Sequence, residues 1–186
     1  IFDIDQEFCE VGVAVNATVS NETAHRLKSR RRSMAGPSGC GLCGIESIEH
    51  MTRDIVPLQA ANLPSQAALD SALSGMRHRQ VVSQSTSGAH AAVWCDMDGS
   101  IVALREDVGR HNALDKLIGW HSSELAEGFV LVSSRASYEM VAKAATAGIG
   151  VLATVSAPTS MAIETAKTAN LKLIAFASNG RHALYS

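Results

Sequence analysis

Residues 129–176 decide the fold, and they read FVLVSSRASYEMVAKAATAGIGVLATVSAPTSMAIETAKTANLKLIAF. Three short apolar runs, at 129–133, 150–155 and 171–176, are typical of strands that are covered on both faces. Between them, residues 137–147 and 160–169 carry apolar side chains at helical spacing. The alternation of strand and helix predicts right-handed crossovers and a parallel portion of sheet.

An antiparallel hairpin is predicted in front of this parallel portion. Residues 90–95 and 101–105 are apolar runs separated by a short polar stretch. Within that stretch, Asp98-Gly99 supplies the positive-φ dipeptide of a tight turn. Joined to the parallel strands, the hairpin makes the predicted sheet mixed.

Upstream of the hairpin, the sequence predicts two helices and a strand, and the helix after Ser65 is interpreted as scaffold. Ser65 is placed to cap a helix, and the apolar residues that follow it fall at helical spacing: Leu69, Leu73 and Met76. Closer to the N-terminus, residues 11–15 read as a strand. A polar helix begins at Asn21 and is expected to end in Arg30, Arg31 and Arg32.

Composition limits the class of protein. The 186 residues are 46% hydrophobic, which suits one compact domain with an appendage, and the net charge of -2 gives no global pull toward nucleic acid or a membrane. No apolar run approaches the roughly 18 residues that span a bilayer, and the first residues lack a signal-peptide pattern. We therefore expect a cytoplasmic protein. Because Ile1 stands where a Met would begin a chain, we also expect an upstream segment to be missing.

A thiol pair, Cys40 and Cys43, lies in the loop at 33–44, which reads SMAGPSGCGLCG. Such a pair supports disulfide exchange, zinc ligation, iron–sulfur ligation or sulfur relay. A closed zinc site needs four ligands, and the other cysteines, Cys9 and Cys95, are isolated, so no stoichiometric zinc is expected. The flanking glycines favour a mobile carrier thiolate over a thioredoxin-like motif, although redox exchange stays open.

Three neighbouring arginines, Arg30 to Arg32, precede this loop. They either stabilise a thiolate and neutralise phosphates, or they are a solvated helix end, where cations are favoured in any case. Both interpretations stay open.

Polar residues cluster where four predicted strands end. The turn at Gly109 would aim Arg110, His111 and Asn112 at a ligand, while Asp107 or Asn112 would alternatively cap the next helix. Arg135, the stretch 156–160 and the stretch 176–181 follow the three parallel strands, at the end of the sheet where such folds bind ligands. They predict one extended nucleotide groove. Neither GxGxxG nor a P-loop is present, which excludes a Rossmann or ATPase assignment.

These motifs resemble the formate dehydrogenase accessory sulfurtransferases, the FdhD family. The segments that carry the resemblance are Ser38-Gly-Cys-Gly-Leu-Cys-Gly44, Glu106-Asp-Val-Gly-Arg-His-Asn-Ala-Leu-Asp-Lys-Leu-Ile-Gly119, Ser134-Arg-Ala-Ser-Tyr-Glu139, Ser156-Ala-Pro-Thr-Ser160, and residues 176–181 followed by Tyr185. The resemblance implies a cytidine-deaminase-like α/β/α fold and a homodimer. It also implies sulfur transfer from a cysteine desulfurase to the molybdenum bis(molybdopterin guanine dinucleotide) cofactor, before that cofactor enters formate dehydrogenase.

The resemblance assigns roles to individual residues. Cys40 would carry the persulfide, with Cys43 as the second thiol. The resemblance also implies that the guanine dinucleotide part of the cofactor binds Phe176, Ala177, Ser178, Asn179, Gly180 and Arg181. Further contacts with the cofactor are expected from the positions of Arg110, His111, Asn112 and Arg135 after predicted strands. Two departures stand out: the family begins with a further strand-rich segment, and its final loop often has an extra basic residue where this chain has Ala177 and Ser178.

The sequence thus predicts a three-layer α/β/α fold with a mixed sheet, divided into an N-terminal segment (1–32), a cysteine loop (33–44) and a deaminase-like domain (45–186). The predicted function is that of a persulfide-relay sulfurtransferase, and the alternative is a non-catalytic chaperone of the nucleotide cofactor. A zinc deaminase is a third hypothesis, disfavoured because Ala91 and Ala92 follow His90 where the deaminase signature needs His-x-Glu.

Overall fold

The computed structural model describes residues 1–9, 12–28, 55–121 and 127–186. These residues fall into two compact units. The first unit holds the N-terminal strands and helix, and the second holds every described residue from Ile55 onward. The predicted loop at 33–44 lies outside the described residues, so the domain boundaries proposed from the sequence stay predictions.

The N-terminal unit is an antiparallel pair of strands followed by a helix. Its elements are β1 (Asp3–Cys9), β2 (Gly12–Thr18) and α1 (Asn21–Lys28). The side-chain hydroxyl of Ser20 accepts a hydrogen bond from the backbone N–H of Thr23 at 3.2 Å, which caps α1. The strand and the helix start predicted here are confirmed, whereas the predicted helix end at Arg30 to Arg32 lies outside the described residues.

The second unit supplies the rest of the fold. Its elements, in chain order, are α2 (Gln66–Arg79), α3 (Val81–Thr86), β3 (His90–Cys95), β4 (Ile101–Asp107), α4 (Arg110–His121), β5 (Phe129–Val132), α5 (Tyr138–Thr146), β6 (Val151–Thr154), α6 (Ser160–Thr168), β7 (Lys172–Ser178) and β8 (Arg181–Leu184). Across the ranges that the structure describes, none of these helices has both the length and the apolar character to cross a membrane.

Six strands form one mixed sheet in the order β4-β3-β5-β6-β7-β8. Strands β5, β6 and β7 are parallel, β3 is antiparallel to both of its neighbours, and β8 is antiparallel to β7. Because β3 alone is reversed among the first five strands of that order, β4 runs in the same direction as β5 to β7. The carboxyl ends of those four strands therefore lie together at one end of the sheet, across the strands, which we name the carboxyl edge. The opposite ends of the same strands form the amino edge.

Helices cover both faces of the sheet. Helices α4, α5 and α6 bury residues such as Leu117, Met140 and Ala166 against one face. Helix α2 buries Leu69 and Leu73 against the other. Both faces need cover because alternate residues of β3, β5 and β6 belong to the two clusters, which is why these strands read as continuous apolar runs. The predicted three-layer α/β/α fold with a mixed sheet is confirmed.

Local details of the predicted scaffold are also confirmed. The hydroxyl of Ser65 accepts from the backbone N–H of Ala68 at 3.1 Å and caps α2. Gly99 has φ +85° in the β3–β4 turn, as the dipeptide predicts. Two elements of the second unit were not predicted, α3 and β8. The last parallel strand is also longer than predicted, since β7 continues through Ser178.

Candidate functional site

The loops that follow the parallel strands touch one another along the carboxyl edge. After β5, Ala136 pairs with Pro158 in a parallel bridge, and the backbone N–H of Thr159 donates to the carbonyl of Ala136 at 3.0 Å. The N–H of Phe176, in β7, donates to the carbonyl of Ser156 at 3.4 Å. The three predicted ligand loops thus form one continuous surface, as the sequence predicts for carboxyl ends of parallel strands.

The turn between β4 and α4 is held mainly by Asp107. Its Oδ1 accepts from the backbone N–H of Gly109 at 2.9 Å and from Nδ2 of Asn112 at 3.2 Å, while its Oδ2 lies 2.6 Å from Nζ of Lys116. The hydrogen bond from Lys116, followed by that from Gly109, lowers the pKa of Asp107. Of the two alternatives weighed from the sequence, the structure supports the local one, because Asp107 satisfies a backbone N–H in the turn directly before α4. It also places the exposed side chain of Asn112 against Asp107.

Glu106, one residue earlier, contacts the start of α3 and not the turn before α4. Its two carboxylate oxygens accept from the backbone N–H groups of Val82 at 2.9 Å and Ser83 at 2.8 Å. Glu106 therefore fixes the start of α3 against β4. The dense polar run at 105–116, interpreted from the sequence as a ligand site, is in part a set of internal bonds.

His111 lies at the first turn of α4 and faces α5. Its Nε2 is 3.3 Å from the hydroxyl of the buried Ser137 and 3.7 Å from Oε2 of Glu139. Burial lowers the pKa of His111 and outweighs the opposing effect of Glu139, while Arg110 lowers it further. The imidazole is therefore neutral near pH 7 and acts as a hydrogen-bonding group at this edge, not as a cation.

His90, at the start of β3, has a related environment. Burial, followed by the charge of Arg110, lowers its pKa as well. Arg110 therefore influences both imidazoles electrostatically, from the first position of α4. From the sequence, His90 is a lone histidine at a strand entrance that lacks the zinc-deaminase signature, which favours a structural role over a catalytic one. Its position on the carboxyl edge, paired with Asp107 of β4, follows from the reversed direction of β3.

Arg135 lies exposed on the loop after β5, two residues ahead of the N-cap of α5. The next loop ends at Thr159, whose hydroxyl caps α6 by accepting from the N–H of Ala162 at 3.2 Å. Helix α4 begins at the same edge, at Arg110. Three helix N-termini, each with a partial positive charge, therefore point toward this edge together with arginines, an arrangement suited to phosphate oxygens.

Six of the ten residues expected to contact the cofactor lie in or beside the turn between β7 and β8. Phe176 is 45% exposed and has φ +54°, a left-handed conformation that an aromatic residue adopts at a cost. Ala177 is buried in the cluster beneath α2. Asn179 and Gly180 are exposed, and Nε of Arg181 donates to the hydroxyl of Ser178 at 3.1 Å. The sequence contained no signal for the left-handed Phe176.

A cavity of about 480 Å³ lies elsewhere, at the amino edge of the sheet. Its lining includes Leu58, Trp94 and Gly150, together with Asn62 and Glu127, which are hydrogen-bonded to each other at 2.8 Å. We favour the carboxyl edge as the functional site because charged groups and helix N-termini converge there, whereas this cavity presents one acid that is already paired with an amide.

The two catalytic residues predicted from the sequence, Cys40 and Cys43, lie outside the described residues, and their roles stay predictions. The same holds for the expected absence of zinc. Of the other predicted site residues, the structure brings Arg110, His111, Asn112, Arg135 and the β7–β8 turn to one edge of one sheet.

The FdhD/NarQ family model matches residues 2–186 of the sequence. The chain belongs to the FdhD/NarQ family. Among its curated relatives, "Sulfur carrier protein FdhD" of Cupriavidus necator is 45% identical over 189 residues, covering 100% of this chain and 66% of that protein. The FdhD protein of Bordetella petrii is 48% identical over 179 residues, covering 94% of this chain and 64% of its own length.

A third FdhD protein, from Acinetobacter baylyi, is 43% identical over 190 residues and covers 100% of this chain and 69% of its own. This FdhD/NarQ chain thus spans about two thirds of the length of these relatives. A crystal structure from Desulfotalea psychrophila, assigned as a formate dehydrogenase accessory protein, matches with a TM-score of 0.65 and 27% identity. That match covers 71% of this chain and 60% of the other.

Proposed function

We propose that this FdhD/NarQ chain carries sulfur as a persulfide on Cys40 and delivers it to the molybdenum bis(molybdopterin guanine dinucleotide) cofactor. The sulfur donor is a cysteine desulfurase, and the sulfurated cofactor then passes to formate dehydrogenase. Family membership and the name of its relatives, sulfur carrier protein, support the sulfur-carrying part of the proposal. In this proposal the protein acts as a cytoplasmic homodimer.

The sulfur step is a thiolate displacement. The Cys40 thiolate attacks the outer sulfur of the donor's persulfide, so that the donor's S–S bond breaks, a Cys40 persulfide forms, and the donor leaves as a thiolate. To release the sulfur, the Cys43 thiolate attacks the inner sulfur of that persulfide. A Cys40–Cys43 disulfide then forms, the outer sulfur leaves as sulfide with the electron pair, and a thiol reductant restores both thiols.

The observation that supports the cofactor's place is the polarity of the carboxyl edge. The cofactor carries two dinucleotides, each with a pyrophosphate, and such anions bind at helix N-termini and arginines. The starts of α4, α5 and α6 lie at this edge with Arg110 and Arg135, and the partly exposed ring of Phe176 offers a surface on which guanine would stack. Neutral His90 and His111 add hydrogen-bonding groups without adding charge.

The test of the sulfur chemistry is mass spectrometry after incubation with a cysteine desulfurase and cysteine. We expect a gain of one sulfur atom on Cys40, lost in Cys40→Ala. Cys95 is the internal control, because it is fully buried and burial raises its pKa to about 12, so that it is neither accessible nor ionised at neutral pH. Sulfur on neither Cys40 nor Cys43, or sulfur on Cys95 to the same extent, would contradict the relay.

A cofactor chaperone without sulfur chemistry is the second candidate, since the carboxyl edge alone would suffice for it. The two functions differ in what Cys40→Ala does. The relay predicts that this variant binds GDP like the wild type and fails to mature formate dehydrogenase. The chaperone predicts that both GDP binding and maturation survive.

A further inference from the structure

The β7–β8 turn is tied to the helix on the opposite side of the sheet from α4, α5 and α6. The backbone N–H of Gly180 lies 3.1 Å from Oδ1 and 3.2 Å from Oδ2 of Asp70, in α2. Nε2 of Gln66 donates to Oδ1 of Asp70 at 2.9 Å, and Oε1 of the same amide lies 2.6 Å from Nδ1 of His182. Two residues of α2 therefore hold the tip of the turn and the start of β8.

These bonds form a chain in which each group has one consistent role. Gln66 donates through its nitrogen to Asp70, so its oxygen is an acceptor, and Nδ1 of His182 must carry the hydrogen. The carboxylate of Asp70 accepts from Gly180, a residue with φ +76° at the tip of the turn. A charged acceptor makes such backbone hydrogen bonds stronger than a neutral one does.

The helix that presents Asp70 is firmly anchored. Leu69 and Leu73, close to Asp70 along the chain, are each only 1% exposed, and Ser65 caps the helix start. Asp70 therefore projects from a fixed point of the core, while Asn179 and Arg181 on either side of Gly180 are exposed. An anchored acceptor can hold an otherwise solvent-exposed turn in one conformation.

We propose that Asp70 is a positioning residue for the nucleotide-binding turn: it holds Gly180 so that Phe176 and Arg181 meet the guanine nucleotide in a fixed geometry. Gln66 orients the carboxylate, and His182 orients Gln66. The inference rests on the proposed function, because it takes the β7–β8 turn as part of the cofactor site.

Whether removal of Asp70 weakens or strengthens nucleotide binding distinguishes a positioning role from a purely electrostatic one. Asp70 is an acid beside a site for anionic phosphates, so removal of its charge alone would strengthen nucleotide binding. Loss of the turn's anchor would instead weaken binding, because the ligand must then order the turn itself. Asp70→Ala removes both the charge and the acceptor. Asp70→Asn removes the charge and keeps one acceptor oxygen for Gly180.

The experiment measures GDP affinity by calorimetry in the full chain and, on the same samples, persulfide loading of Cys40. We expect Asp70→Ala to bind GDP about tenfold more weakly and Asp70→Asn to bind within about twofold of the wild type. Asp98→Asn, which removes an exposed acid from the amino-edge hairpin, is the matched control and should not change the affinity. Loading of Cys40 should be equal in all four proteins, and equal circular dichroism spectra would exclude a general loss of structure.

Equal or tighter GDP binding by Asp70→Ala would overturn the positioning role while leaving the proposed function intact. A wild-type chain that loads sulfur and does not bind GDP would instead remove the cofactor site, and this inference with it. If Asp70→Ala does not fold, Gln66→Ala decides the matter, because it leaves Asp70 in place without its orienting amide. We expect about threefold weaker GDP binding for Gln66→Ala, and unchanged binding would overturn the proposal.

Discussion

The two edges of the six-stranded sheet are built on different principles. At the amino edge, backbone approaches backbone: a Cβ added to Gly99 would lie 2.1 Å from the carbonyl oxygen of Ala68, and one added to Gly128 would lie 2.3 Å from that of Cys95. At the carboxyl edge, side chains with charge or hydrogen-bonding groups face one another across loops, as His111 faces Ser137 and Glu139. Changes of volume should therefore matter at the first edge, and changes of charge or conformation at the second.

The largest effect is expected from Gly99→Ala. Gly99 has φ +85°, and the atoms that a Cβ would meet are all backbone atoms of α2, which cannot move aside without shifting the helix. We expect a loss of about 3 kcal/mol or more in the free energy of unfolding, measured by urea denaturation. Gly119→Ala is the matched control, since a Cβ there meets nothing within 4 Å and alanine favours the helix by up to about 1 kcal/mol. A Gly99→Ala variant as stable as the wild type would remove the contrast between the edges.

A smaller effect on stability is expected at the carboxyl edge, where Phe176 is held at φ +54°. Phe176→Gly and Phe176→Ala both remove the ring, but only glycine adopts this conformation without strain. We expect Phe176→Gly to be more stable than Phe176→Ala by about 1 kcal/mol in thermal or urea unfolding, and both to lose GDP affinity equally. If the two variants were equally stable, the left-handed conformation would not be maintained by the surrounding fold. Unchanged affinity in both would show that the ring does not contact the nucleotide.

The smallest effect concerns pH. Burial lowers the pKa of His90 and His111 below the ordinary value of 6.5, so the unfolded chain binds protons at a higher pH than the folded one. Their contribution to stability is therefore complete above 6.5 and is lost as the pH falls through the lower pKa of the folded state. We expect the free energy of unfolding to decrease as the pH falls below about 6.5. The effect is the smallest of the three because both imidazoles keep some contact with solvent.

The control for this pH effect is a set of variants at the two positions. His90→Asn and His111→Asn should each flatten part of the dependence, and the double variant should flatten more than either. If the free energy of unfolding of the double variant depended on pH as strongly as that of the wild type, the loss of stability would be due to the carboxylates instead.

The sequence alone predicts those parts of the fold in which burial requires apolar residues. Strands such as β5 and β6 are covered on both faces, so their residues had to be apolar, and their positions could be predicted within one or two residues. Helix α3 has six residues, too few for a periodic pattern, and its start is fixed by Glu106 from a strand 23 or more positions away in the chain. Strand β8 is an exposed edge strand, specified by its neighbour β7 and not by an apolar pattern of its own.

The candidate site also contains residues that could be predicted from the sequence and residues that could not. Arg110, His111 and Arg135 could be predicted to share an edge, since strand direction alone determines where carboxyl ends lie. The roles of Glu106 and Asp70 could not, because each depends on a hydrogen bond to a backbone N–H that is distant in sequence. Such partners are set by packing between elements. A single acid in a helix, such as Asp70, carries no local signal of that role.

The position of the reversed strand β3 has a consequence for how the protein is made. Strand β3 lies between β4 and β5, and beyond it the sheet continues as β5, β6, β7 and β8, in the order of synthesis. On the ribosome, the β3–β4 hairpin is available first, and every later strand emerges to find its neighbour already in place. The sheet can therefore grow in one direction during translation, without waiting for a distant C-terminal strand to complete its centre.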